Sequence, residues 1–77
     1  MPVQDDQFVW IGGITGNWGD ASNWQDVTTG QNPASVAPGP NDAVTIGAAG
    51  NAVRVITGAG NSLSLTISGA TDLDGTF

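Results

Sequence analysis

The sequence predicts an all-β fold, and three observations carry that expectation. From Asn41 onward, aliphatic residues alternate with small polar ones at period two, the pattern of strands with one buried face. Twelve glycines and four prolines interrupt the 77 residues every few positions and leave no room for long helices. The strong helix formers are scarce, with neither Lys nor Glu anywhere in the chain.

Taken in order, Gln7-Phe8-Val9-Trp10-Ile11 is the first segment with strand character, and Gly12-Gly13 end it. Turns follow at Gly16-Asn17 and Gly19-Asp20. Asp20 is placed to cap a single helical turn over residues 20–24, because its carboxylate can accept from an N–H that the first turn leaves free. Residues 27–40 read as loop, closed by the stiff bend Pro38-Gly39-Pro40. Asp42 then starts a strand through a local turn bond, with Val44 and Ile46 on the buried side and Thr45 outside. Val53 and Val55 form the buried face of the next strand. That alternation puts Arg54 on the solvent side, where an ion pair with an aspartate contributes little. In the last segment Leu63, Leu65 and Ile67 alternate with Ser62, Ser64 and Thr66.

A weak repeat overlies the alternation. Ala49-Gly50-Asn51-Ala52-Val53 recurs ten residues later as Ala59-Gly60-Asn61-Ser62-Leu63, and Gly69-Ala70-Thr71-Asp72-Leu73 is a blurred third copy. Short strands joined by Gly-Asn turns at a fixed step favour stacked units, each burying its face on the next. A ten-residue step fits a half or a third of a solenoid coil. A small β-sandwich or an antiparallel meander is the alternative.

Composition narrows both stability and partners. A chain of 77 residues is one domain and buries only about 60% of the surface its unfolded form exposes. It has no cysteine for a disulfide and neither His nor Cys for a structural zinc, so the aromatic residues must carry an unusual share of the core. The expected organisation is one β module over 1–77, with a Trp-rich cap and loop at 1–40 and β coils at 41–77, forming a piece of a longer secreted protein. Seven aspartates against the single Arg54 give a net charge of −6. Nucleic acid and anionic membrane surfaces are poor partners for such a chain, which lacks the cations to neutralise phosphate. No apolar run is long enough to span a membrane, and the first residues form no export signal.

The residues from Trp10 to Trp24 read W-I-G-G-I-T-G-N-W-G-D-A-S-N-W and hold all three tryptophans. With the later P-G-P-N-D-A-V-T-I and S-L-S-L-T-I-S-G-A segments, this stretch resembles the N-terminal part of β-helical passenger regions of bacterial autotransporter-type adhesins. It is similar, too, to segments that open type I-secreted surface proteins carrying Hint domains. The residues that carry the resemblance are Trp10, Gly12, Gly13, Asn17, Trp18, Asp20, Asn23, Trp24, Pro38, Gly39, Asp42, Val44, Ile46, Ser62, Leu63 and Leu65. The resemblance implies a right-handed parallel β-helix, with this segment as its first coils and N-terminal cap, on a secreted or cell-surface protein. Family members run on for many coils, whereas this sequence has room for about two.

Each candidate site has a plainer alternative. Trp18 and Trp24, flanked by Asn17, Asp20 and Asn23, could stack and hydrogen-bond a sugar; the plainer role joins them with Phe8 and Trp10 as a structural cap over a coil end. Asp72-Leu73-Asp74-Gly75 and the Asn17/Asp20/Asn23 cluster invite a weak calcium reading, but neither has the length of an EF-hand loop and no Glu is present, so no metal or other cofactor is expected. Without His, Cys, Lys or Tyr the usual nucleophiles and bases are missing, so catalysis is not expected. The expected partners are a second copy, as a homo-oligomer or a fibre through an open β edge, or a glycan or host surface.

Overall fold

The computed structural model describes residues 6–76, and apart from one short 3-10 turn its regular elements are all β-strands. In chain order these are β1 (Gln7–Trp10), β2 (Thr15–Asn17), β3 (Trp24–Asp26), β4 (Ala43–Ile46), β5 (Arg54–Ala59), β6 (Ser64–Ile67) and β7 (Thr71–Thr76). One turn of 3-10 helix, Ala21–Asn23, precedes β3.

The strands form two open sheets. The first has the order β3-β1-β4-β6 and the second β2-β5-β7. Except for the antiparallel β1–β3 pair, every pairing between these strands is parallel. The chain alternates between the sheets: β1 to β2, β4 to β5, β6 to β7. Between the first and second of these circuits it inserts the 3-10 turn, β3 and the loop of residues 27–42.

Register places like side chains above one another. In the first sheet Phe8 lies beside Val44 and Val44 beside Leu65, with Ile46 beside Ile67. In the second sheet Gly16, Ile56 and Leu73 form a row. A stacked partner follows 21 residues on in the first sheet (Val44 to Leu65, 65 − 44) and 17 in the second (Val55 to Asp72, 72 − 55). The two clear copies of the ten-residue repeat fall on the β4–β5 link and around the β5–β6 link, so one copy spans about half a circuit.

The core consists of Phe8, Trp10, Trp18, Trp24, Ala34, Val44, Ile46 and Ile56, with Ala37 and Leu73 packed against it. Burial falls along the stack. Phe8 and Val44 are each 1% exposed, whereas Leu65 in the same row is 36% exposed. Leu65 and Ile67 therefore lie in the expected rows but form the thinly covered end, and Leu63 is 62% exposed.

The strand β5 corrects the expected phase. Val53 is exposed and Val55 only half-buried, while Arg54 and Ile56 are buried. Arg54 is therefore an interior residue, not a solvent-side one. Its guanidinium donates to the carbonyls of Gly13, Gly47 and Ala48, and its backbone N–H donates to Ala70. These acceptors lie in the β1–β2, β4–β5 and β6–β7 links, stacked at one corner of the fold. Turn carbonyls that strands cannot satisfy converge there, and five fixed donors suit them better than an aliphatic side chain.

Two glycines show how closely adjacent circuits approach. Gly58 and Gly75 pair across β5 and β7 and both have positive φ, 102° and 152°. A Cβ on Gly75 would lie 1.8 Å from the Gly58 carbonyl oxygen, so no larger residue fits without moving backbone.

Candidate interaction site: a sealed end and an open end

The three tryptophans and Phe8 form one buried aromatic cluster beside β3 and β1, at one side of the first sheet. Trp24 sits at its centre, fully buried. The Phe8, Trp10 and Trp18 rings surround it at centroid distances of 6.5, 5.1 and 4.8 Å, all at steep interplanar angles. Edge-to-face contact of this kind sets positive ring edges against negative ring faces. The Trp24 indole N–H donates to the Trp18 carbonyl at 2.8 Å, and that of Trp10 to the Gly13 carbonyl at 2.8 Å. Gly60 lies flat on Trp18: a Cβ there would come within 2.4 Å of ring atoms.

This burial removes the sugar-stacking alternative. Trp18 is 2% exposed and Trp24 0%, so neither has a face to offer a pyranose. The flanking polar groups are engaged in local structure. Asn17 Oδ1 accepts from the Gly19 N–H at 2.8 Å, and Asn23 Nδ2 donates to the Asn17 carbonyl at 3.0 Å. Asp20 caps the 3-10 turn, accepting from the Ser22 N–H at 3.1 Å and the Ser22 hydroxyl at 2.7 Å. The hydroxyl first, then the N–H, holds the Asp20 carboxyl below the usual carboxylate range.

Asp72-Leu73-Asp74-Gly75 is not a loop but part of β7, where Asp72 and Asp74 are exposed and Leu73 turns inward. Among the described residues no group of three or more His, Cys, Asp or Glu side chains is arranged to hold a metal ion. Asp42 does form the expected turn, its Oδ2 accepting from the Gly39 N–H at 2.7 Å. It also ties down the chain before β1, since Oδ1 accepts from the Asp6 N–H at 3.2 Å.

Asp26 is the buried acid that sequence reasoning passed over. It lies in β3 opposite Phe8 and is 3% exposed. Burial pushes its carboxyl up, but a hydrogen bond with the Asp6 side chain and donation from Thr29 and Thr28 outweigh that and hold it below the ordinary value. The signal that could have found it is the spacing Asp26-x-x-Thr29-Gly30, which favours an Asx-type turn.

The edges of the two ends differ. At the first end, all four outward backbone groups of β3 are taken. The Trp24 N–H donates to Ala21 and its carbonyl accepts from Ala34. The Asp26 N–H donates to Gln31 and its carbonyl accepts from Gly30. On β2, the Asn17 carbonyl accepts from both the Asp20 N–H and Asn23 Nδ2. At the other end β6 pairs only with β4 and β7 only with β5, among the described residues. Beneath those edges lie the incompletely covered Leu65, Ile67 and Leu73. Compared with protein-family models, with curated proteins and with solved structures, the chain matches none of them significantly.

Proposed function

We propose that this chain is a structural and interaction module: the capping first coils of a secreted bacterial β-solenoid, acting in adhesion or surface assembly. The single observation that carries the reading is the contrast between the ends, one plugged by buried tryptophans and the other showing two parallel strand edges. A solenoid needs such a plug, because its first coil otherwise exposes apolar side chains and unpaired backbone groups. The alternation between two sheets, with in-register rows, supports the solenoid over a meander or sandwich.

On this reading the protein is not an enzyme, needs no metal and works outside the cell or at its surface. Its open end recruits β-strands, and in isolation it recruits copies of itself. The test is analytical ultracentrifugation across a concentration series, with tryptophan emission read on the same samples. Reversible association with blue-shifted emission supports the reading. A monomer at every concentration with red-shifted emission sinks it.

A further inference from the structure

We infer that Asp6 and Asp26 form a carboxylic acid–carboxylate pair whose single shared proton latches the loop covering the outer edge of β3, so that this cover is tight in acid and loosens as pH rises. The latch is independent of the solenoid reading and of anything that joins the fold at either end.

Strand register brings the two carboxyls together. Phe8 and Asp26 are opposed across β1 and β3 and are 1% and 3% exposed, so both side chains point into the fold. Asp6, two residues before Phe8, falls on the same face, and its Oδ1 oxygen is itself buried. Diagonal neighbours on one face of an antiparallel pair lie within reach of one another. Here the Asp6 and Asp26 carboxyls are joined by a hydrogen bond. Asp42 lies alongside, since Gln7 is level with Ala43 and the Ala43 N–H donates to the Asp6 carbonyl at 2.9 Å. Its own oxygens accept from the Asp6 and Gly39 N–H groups.

That contact requires a proton. An ionised carboxylate only accepts, so two of them cannot hydrogen-bond each other, and one must be the acid that donates its O–H. Two like charges crowded out of water favour keeping that proton between them. The Thr29 N–H, which donates to Asp26 Oδ1 at 3.1 Å, favours charge on Asp26 and leaves the O–H on Asp6. Arg54, the one basic side chain of the sequence, is not placed to take the proton's part. It is bound to carbonyls in the links that follow β1 and β4, whereas Asp6 and Asp42 precede those strands.

The pair ties the covering loop to the first sheet. Asp26 anchors the turn that follows β3, its N–H donating to Gln31 and its carbonyl accepting from Gly30. Farther along the same loop, the Ala34 N–H closes the Trp24 carbonyl at 2.8 Å. Asp6 is held to the start of β4 through both its N–H and its carbonyl. Once the shared proton leaves, two carboxylates face each other with Asp42 beside them, and the joint becomes repulsive. The fold then retains, above the ordinary carboxylate range, a proton that the unfolded chain has released, so stability falls as pH rises there.

The composition makes this measurable. With no His, Cys, Lys or Tyr, the unfolded chain titrates between about pH 5 and 9 only at its α-amino group. In that range the folding equilibrium of the whole chain, read by circular dichroism in urea, should weaken by up to about tenfold per pH unit, the slope for one retained proton. Asp6→Asn donates to the Asp26 carboxylate from Nδ2 and has no proton to lose, so its stability should stay level. At about pH 8 the Gly30 and Ala34 amides should exchange with solvent about tenfold or more faster in the wild type than in Asp6→Asn. Infrared spectra of the unaltered chain need no variant: a protonated-carboxyl band should persist in the native state above about pH 5 and vanish on thermal unfolding. Wild-type stability that is flat across this range, or equal exchange at those two amides, would overturn the latch. So would a fall confined to about pH 8 with no protonated-carboxyl band, which the α-amino group alone would produce.

Discussion

Replacing Trp24 by Ala should cost a large share of the stability this chain has. Trp24 is fully buried, contacts three aromatic rings and donates a 2.8 Å hydrogen bond to the Trp18 carbonyl. Truncating a buried Trp to Ala typically costs about 3–5 kcal/mol through lost transfer energy and the cavity left behind. A 77-residue domain has about 4–12 kcal/mol in total. Trp24→Ala is thus expected to lose from about a quarter to all of that stability, and at the lower end of the range to be unfolded at room temperature. Trp24→Phe is the graded version. It keeps one ring but loses the hydrogen bond, worth about 1 kcal/mol, and the outer ring atoms, worth another ~1–2 kcal/mol. With a urea m-value near ~1 kcal/mol/M for so small a chain, the midpoint should fall by about 2–3 M. Far-UV circular dichroism in urea measures it without using the altered tryptophan as probe. A Trp24→Ala variant that loses less than about 1 kcal/mol would refute the placement of this ring at the centre of the cap.

Four further outcomes are expected. Arg54→Leu should destabilise by about 2–4 kcal/mol, because it strands the carbonyls of Gly47 and Ala48 and leaves that of Gly13 only its bond from the Trp10 indole. Arg54→Lys should recover only part of that, since one ammonium cannot span the same acceptors, and wild-type stability for both variants in chemical denaturation would contradict the interior placement. The folded carboxyl of Asp26 is held below its unfolded value, so its contribution is present above the ordinary carboxylate range and is lost as pH falls through the folded value. The melting-temperature gap between wild type and Asp26→Asn should therefore be widest above the ordinary carboxylate range, begin to narrow near about pH 4 and close only below the folded value; a gap that widens in acid would reverse the sign. Gly60→Ala drives a methyl group into the Trp18 ring and should cost about 1–3 kcal/mol in the same urea assay, with an unchanged midpoint counting against the contact. Adding EDTA should leave the melting temperature where it was, and a fall would revive a calcium role for Asp72 and Asp74.

Much of the β character was legible because alternation is a local signal. β4 and β6 stand close to where period two put them and β1 where its strand-like residues did, and Asp20 and Asp42 make the turn bonds their positions suggest. The errors arise where distant backbone decides the outcome. Arg54 between two valines reads as polar-out. It turns inward because carbonyls from links up to 41 residues away converge on one corner, and no local pattern records that. Asp72-Leu73-Asp74-Gly75 looks like a turn by composition, yet it is strand because β5 supplies a parallel template beside it. Trp24 begins β3 instead of ending the helical turn, since pairing with Trp10 across the sheet outweighs the local preference. The polar flanks of Trp18 and Trp24 suggested a wet platform, but Asn17, Asp20 and Asn23 turn their hydrogen bonds on the chain itself.

Iodide quenching of tryptophan fluorescence, compared between the native and urea-unfolded chain, tests the central claim most directly. If the three rings plug the first end of the stack, native emission is blue-shifted and quenching is a small fraction of that in urea. Red-shifted native emission that iodide quenches as readily as the unfolded chain would contradict the cap.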